Sequence, residues 1–345
     1  MAHTQQVGYV EISSGDKHYR VLKVSTFLPK FPNATNRETK IYGHIAKIKS
    51  AHPGQALVRE FYDSFDLQGP DVRHRCLVLE PMHMSLLEMM SPNPRPFDLR
   101  LLKMTVTRLL LALDFLHTEA GVIHADLKTD NVMLSIEDGG MLSDFVEAEV
   151  DCPTPRKHID ESRIIYKSRK FRKPGKAKGY ELPTLCDFGE SRIGATQESN
   201  PFVQPHIYRA PEVMFDMPWG SAADIWNLAG LIWDLFESEH LFGDVFDARG
   251  GHDLFKHFAL IVALIGEPPS EFVERSETTG QCFDTNGTWI AHKDAAIPLV
   301  SLDGLEKRLS GHEKQLFIQF MGSMLKWMPE ERKNAKQLLE DPWLL

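Results

Sequence analysis

The stretch Gly121-Val122-Ile123-His124-Ala125-Asp126-Leu127-Lys128-Thr129-Asp130-Asn131-Val132-Met133-Leu134 sets a polar turn between two short apolar runs. Apolar runs on each side predict short strands that hold the turn rigid. Inside the turn, three side chains divide one chemical task. Asp126 carries a carboxylate able to accept a hydroxyl proton, and Lys128, two residues on, carries a charge able to neutralise a moving anionic group. Asn131 supplies a neutral oxygen of the hard type that magnesium prefers. A merely solvated turn has no need of this order and spacing.

A second motif completes the set. Leu185-Cys186-Asp187-Phe188-Gly189 is a short apolar run followed by a carboxylate, an aromatic ring and a glycine. Together the two motifs resemble the catalytic centre of eukaryotic-type protein kinases. The resemblance implies that Asp126 is the proton acceptor, Lys128 a phosphate ligand, and Asn131 and Asp187 the metal ligands. Phe188 would pack, and Gly189 would let the chain turn. Asp144-Phe145-Val146 is a rival, because it follows Asn131 at the interval usual in kinases. Asp187 is preferred: it keeps the glycine, and it stands one activation-segment length ahead of Ala210-Pro211-Glu212. An insertion before Asp187 then accounts for the long spacing.

The same resemblance assigns residues to ATP. Lys23 ends Tyr19-Arg20-Val21-Leu22-Lys23, where kinases place the lysine that touches the α and β phosphates; Glu38 opens the helix whose glutamate pairs with it. Glu80-Pro81-Met82 follows an apolar strand and reads as the hinge, with the Glu80 carbonyl and the Met82 amide facing adenine. Gly8-Tyr9-Val10 fits the end of the phosphate-covering pattern G-x-G-x-x-G-x-V, so Gly8 and Val10 are expected at the nucleotide. The first two glycine positions hold His3 and Gln5, whose side chains obstruct a close approach of backbone amides to phosphate. Either the first strand is missing from this chain, or nucleotide is held without a full lid.

The rest of the chain fits this frame. It has 345 residues, 42% of them hydrophobic, enough for a large core. Up to about residue 80 the text is strand-like, as in Tyr19–Val24 and Arg75–Glu80, with one short helix at Asn36–Ala46. From Asp98 the period changes. Leu102, Val106, Leu109, Leu110, Leu113 and Leu116 recur at three and four, and further helical text covers Ser221–Glu237, His252–Ile265, Gly311–Lys326 and Asn334–Leu339. The expected fold is α+β and bilobal, with a strand-rich N-lobe over 1–80, short of its first strand, and a helical C-lobe over 81–345. Ala148–Tyr180 is rich in proline and charge, and Lys167–Lys178 holds seven Lys or Arg residues. Lacking either periodicity, about 148–180 is expected to be an insertion loop with a basic surface.

Tyr208-Arg209-Ala210-Pro211-Glu212-Val213, Asp224-Ile225-Trp226-Asn227-Leu228 and the extra stretch Asp244–Ile265 look like the group of cyclin-dependent, MAP and CDC-like kinases. Ala125 in place of the usual arginine, the insertion ahead of Asp187 and the run Phe202-Val203-Gln204-Pro205-His206-Ile207-Tyr208 are similar to SR-protein kinases, especially the fungal ones. That resemblance implies an ATP- and Mg2+-dependent serine/threonine kinase acting on Arg/Ser-rich proteins. An arginine at 125 would clasp an activation-segment phosphate, so Ala125 implies activity that does not wait for that modification. The alternative is a catalytically impaired pseudokinase or scaffold, motivated by the incomplete glycine loop. Glu212 and Arg332 occupy the places of a buried ion pair, Asp224 is placed to cap the catalytic loop, and Asp244, Asp247 and Asp253 are candidates for an acidic docking groove.

Charge and composition exclude other classes. A net charge of −9 disfavours nucleic acid as a bulk partner and suits a basic protein substrate. The basic run Lys167–Lys178 reads first as a solvated loop and second as a nuclear-import or nucleic-acid segment. Cys76, Cys152, Cys186 and Cys282 form no CxxC pair, which fits free thiols in a reducing compartment. The start shows no signal pattern, and the longest apolar run, Phe258–Ile265, falls far short of the roughly 18 residues that span a bilayer. A monomeric cytoplasmic protein, with the nucleus as a second compartment, is the expectation.

Overall fold

The computed structural model describes residues 6–14, 16–25, 34–69, 73–91, 95–136, 138–159, 164–172, 182–199 and 203–345, with backbone alone for 6–14, 16–18, 34 and 35. His3 and Gln5 lie outside the described residues, as do Phe202 and the basic run beyond Arg172. Strands β1 (Gln6–Ser14), β2 (Asp16–Val24), β3 (Phe61–Gln68) and β4 (Arg73–Leu79) build one antiparallel sheet in the order β1-β2-β4-β3. Along β2 the inward face carries Tyr19, Val21 and Lys23, all buried, as the two-residue period of a strand requires. Lys23 is therefore delivered to the interior by register alone. Helix α1 (Ala34–Ile45) packs beneath the sheet and buries Glu38, Ile41, Tyr42 and Ile45, one stripe at helical spacing.

The remainder is largely helical. Helix α2 (Leu86–Met90) starts at a capping box between Ser85 and Glu88, and α3 (Leu99–Asp114) at Asp98, whose carboxylate accepts the Leu101 amide. The stripe expected on α3 is at most 1% exposed throughout. A wider π-type turn, Phe115–Ala120, extends α3 and ends at Gly121, whose φ of 59° is open to glycine at little cost. Two short strands, β5 (Val122–Ile123) and β6 (Val132–Leu134), then bracket the catalytic loop as the apolar runs foretold.

The insertion departs from expectation. Instead of a loop without regular structure from about 148, helix α4 runs from Gly139 to Asp151, and β7 (Arg156–His158) pairs with β8 (Ile164–Tyr166). Two glycines at its start hide α4 from a propensity reading. Tertiary contacts stabilise it: Arg169 Nε lies 2.7 Å from Glu149, Arg172 bonds both Asp138 and Asp144, and the Phe171 ring sits 4.9 Å from Phe145. The Phe171 ring also stands 5.9 Å from His83, just past the hinge, and Ser143 meets Tyr19 of β2 at 3.3 Å. The insertion thus packs on both the sheet and the hinge.

Strands β9 (Pro183–Leu185) and β10 (Arg192–Ile193) pair with β6 and β5 respectively, which sets the Asp187 turn beside the catalytic loop. Helix α5 (Pro211–Met214) follows, then α6 (Ala222–Glu237), buried from Ala223 to Phe236 because it is apolar on nearly every face. Helix α7 (Leu254–Ile265) follows, helix Gly311–Met324 packs on α6, and helix Ala335–Leu339 packs on α3. No helix among the described residues is long and apolar enough to cross a membrane. All four cysteines are free thiols, three of them buried.

Candidate active site

The catalytic loop hangs from one buried carboxylate. Asp224, in the first turn of α6, accepts the amides of His124 and Ala125 at 2.8 Å each and meets His117 Nε2 at 2.9 Å. Those bonds hold Ala125 at a φ of 63°, a left-handed conformation that a non-glycine residue adopts only under constraint. The turn leaves the Asp126 side chain mostly buried. Its Oδ2 accepts Lys128 Nζ at 2.9 Å and Asn131 Nδ2 at 2.7 Å, so carboxylate, cation and amide form one cluster. Burial pushes the Asp126 carboxyl up from the ordinary aspartate value, and Lys128 restrains the rise.

A second cluster faces it. Lys23 Nζ donates to Glu38 at 2.7 Å and to Asp187 at 3.1 Å, joining β2, α1 and the Asp187 turn. Burial alone would lower the Lys23 ammonium, but the two carboxylates outweigh it and hold its pKa above the ordinary value. Asp187 sits at a φ of 62°; burial opposes its ionisation, yet Lys23 and the Gly189 amide leave its carboxyl below the usual range. Asp187 and Asn131 come from adjoining segments, since the Cys186 amide donates to the Asn131 carbonyl at 2.8 Å.

Aromatic rings tie these segments into one column that sequence reasoning missed. Phe61 stacks on Tyr42 with centroids 5.5 Å apart, Tyr42 meets the edge of Phe188 at 5.1 Å, and Phe188 meets His124 at 5.1 Å. The column runs from β3 through α1 and the Asp187 turn to the catalytic loop. One signal was available: Tyr42 stands four residues after Glu38, hence on the same helix face. The rival Asp144 lies far from all of this, on α4, bonded to Arg172.

One nucleotide assignment lands differently from expectation. The Glu80 carbonyl does not stand open to adenine: Arg59 donates to it from Nε at 2.9 Å and Nη2 at 2.7 Å. A guanidinium fork is a stronger donor than a neutral amine, and Arg59 is fixed nearby through its own amide to Leu185. Met82 is buried beside this contact. Gly8 and Val10 are interior positions of β1, paired with Leu22 and Arg20 on the strand that carries Lys23. Glu212 and Arg332 form the expected buried pair, with two bonds of 2.8 and 2.7 Å.

Comparison with known proteins agrees with this geometry. Residues 23–155 and 176–344 match the protein kinase domain family, which leaves out most of the β7–β8 insertion. The chain belongs to the protein kinase family. A serine/threonine protein kinase of Aspergillus fumigatus is 41% identical over 313 residues, covering 90% of this chain and 75% of that protein. The serine/threonine-protein kinase SRPK of Physarum polycephalum is 28% identical, over 83% of this chain and 71% of that protein. Protein kinase dsk1 of Schizosaccharomyces pombe is 24% identical, over 94% and 75%.

The chain is a serine/threonine protein kinase of the CMGC type, acting on protein and using ATP with a divalent metal ion. The scaffold alternative is not favoured. The kinase's own donors fit the nucleotide and metal: Asn131 and Asp187 offer hard oxygens, while Lys23 and Lys128 offer positive charge for phosphate. Among the described residues no group of three or more His, Cys, Asp or Glu side chains could hold a metal ion. Any metal held by Asn131 and Asp187 would therefore complete its shell with phosphate and water oxygens.

Proposed function

We propose that this kinase phosphorylates serines in arginine- and serine-rich protein segments, with magnesium as its metal. The observation that carries the reading is Ala125 within a catalytic loop whose other chemistry is intact, together with relatives named SRPK and dsk1. Magnesium ATP, when bound, supplies the phosphoryl group and part of the counter-charge. Asp126 orients the serine hydroxyl and accepts its proton, and Lys128 neutralises charge beside it. Lys23, fixed by Glu38, holds phosphate, and Asn131 and Asp187 hold metal.

Recognition of arginine falls to carboxylates near α7. Asp247 accepts two turn amides and Asp253 caps α7, so both have local structural duties, whereas the Asp244 side chain is 94% exposed and meets only the half-exposed Lys256 ammonium, at 3.7 Å. Asp244 is the carboxylate best placed to meet an incoming guanidinium. Residues 1–80 and 81–345 serve as the two lobes, and a monomer in the cytoplasm, with access to the nucleus, is the matching biology. The test is a comparison of kcat/KM on an Arg-Ser repeat peptide, its Lys-Ser counterpart and a Ser-Pro peptide. Preference for Arg-Ser by about tenfold or more is expected, and Asp244→Asn should reduce it. Equal use of Ser-Pro would refute the assignment.

The pH profile tests the role of Asp126 separately. The carboxylate must be ionised to accept a proton, so the rate falls as pH drops through its raised pKa. Lys128→Ala removes the charge that restrains this rise. The variant is expected to lose kcat and to show its acid limb at higher pH than the wild type. A limb at unchanged pH would remove Asp126 from the proton-accepting role.

A further inference from the structure

One residue past Asp187-Phe188-Gly189, Glu190 lies between two guanidinium groups from different parts of the chain. Arg37 of α1 reaches Glu190 Oε2 from Nη1 at 3.0 Å, and the same nitrogen donates to the Gly189 carbonyl at 3.2 Å. Arg192 of β10 approaches that same Oε2 at 3.6 Å and donates to the carbonyls of Glu190 and Ser191. Two like charges thus converge on one oxygen. Burial, and secondarily the charge of Arg37, press the Arg192 guanidinium below its ordinary pKa, as expected where cations crowd. The anion between them offsets that repulsion.

The location matters. Arg37 immediately precedes Glu38, so α1 grips the Asp187 turn twice: through Glu38 and Lys23 to Asp187, and through Arg37 to Gly189 and Glu190. Arg192 pairs in register with Ile123, the residue before His124, and Ser191 Oγ donates to the His124 carbonyl at 2.9 Å. The bridge therefore spans α1, the Asp187 turn and the catalytic loop. A phosphate placed opposite an arginine cluster orders a segment by this kind of charge-assisted contact. Here position 125 is a buried alanine, so the cluster has two guanidinium groups for a single carboxylate to satisfy.

We propose that Glu190 is a positioning residue, a fixed anion that joins Arg37 to Arg192 and does for this active site what an activation-segment phosphate does elsewhere. It touches none of the reacting groups. It acts by holding α1 and the Asp187 turn in the arrangement that brings Lys23, Glu38 and Asp187 together. The inference rests on the kinase reading and concerns only how the site is held.

The experiment uses phosphatase-treated full chain, with wild type as control. Glu190→Gln is expected to lower kcat about tenfold, within the range usual for coupling between separated groups, with the melting temperature unchanged. Glu190→Asp, which keeps the charge, should recover much of the rate. Arg37→Gln should lower kcat as well, and the double variant should be no slower than the slower single, because both remove one bridge. A wild type that is active before phosphatase and inactive after it overturns the proposal that Glu190 stands in for the phosphate. With wild type active, three results overturn the role of Glu190: unchanged kcat in Glu190→Gln, additive losses in the double variant, or a rate loss that merely follows a lowered melting temperature.

Discussion

Asp126→Asn is expected to lower kcat by roughly 10²–10⁴-fold, the usual contribution of a positioned general base, while the protein melts no earlier than wild type. The amide is isosteric and keeps an oxygen for Lys128 and Asn131, but it cannot accept the hydroxyl proton. Structural support for the loop lies elsewhere, in Asp224 and its bonds to His124 and Ala125. The stability sign follows from the raised pKa. A carboxyl whose folded pKa exceeds its unfolded value contributes stability below the unfolded pKa and loses it as pH rises through the folded one. At neutral pH the ionised Asp126 contributes nothing of that kind, so the neutral amide removes no such term. Function and stability are opposed at this position. Retained turnover on a peptide substrate would contradict the assignment of Asp126, and a sharply lowered melting temperature would make it a structural residue instead.

Much of this site was legible because its residues sit in contiguous motifs with local chemistry. Asp126, Lys128 and Asn131 are within six positions, and their mutual bonds follow from that closeness. Lys23 was legible through the two-residue alternation of β2, and Glu38 through the helical stripe it shares with Ile41, Tyr42 and Ile45. The glycine after Phe188 separated Asp187 from Asp144, and the structure shows the physical difference: one carboxylate meets Lys23, the other Arg172. What escaped the sequence depends on contacts between distant segments. Arg59 reaches Glu80 across 21 positions and Glu190 meets Arg37 across 153, and no local pattern announces either. Helix α4 escaped for a related reason, since its glycine-led start is a poor helix signal and its partners come from the far side of the β7–β8 hairpin.

The largest stability effect should come from a pair remote from the chemistry. The Arg332 and Glu212 side chains are at most 1% exposed, and the guanidinium also donates to the carbonyls of Ala222, Lys326 and Trp327 while lying 5.0 Å from the Trp226 ring. The two partners are therefore not equivalent. Arg332→Met strands a buried carboxylate and leaves three carbonyls without this donor, which should cost on the order of 3–5 kcal/mol. Glu212→Gln keeps an acceptor for the guanidinium, and Arg332 still has its carbonyls and the ring, so its cost should be smaller. Replacing both residues with methionine removes both charges at once and should be less damaging than Arg332→Met alone. Urea unfolding of the four proteins measures this order directly. If the double variant proves no more stable than Arg332→Met alone, the two charges are not coupled and the pair's two bonds are incidental. Glu212 also closes the activation segment at α5, beside Ala210, whose amide is held by Gln204. On the reading that the segment it anchors receives the protein substrate, loss of the ion pair should reach activity through substrate KM before it reaches kcat.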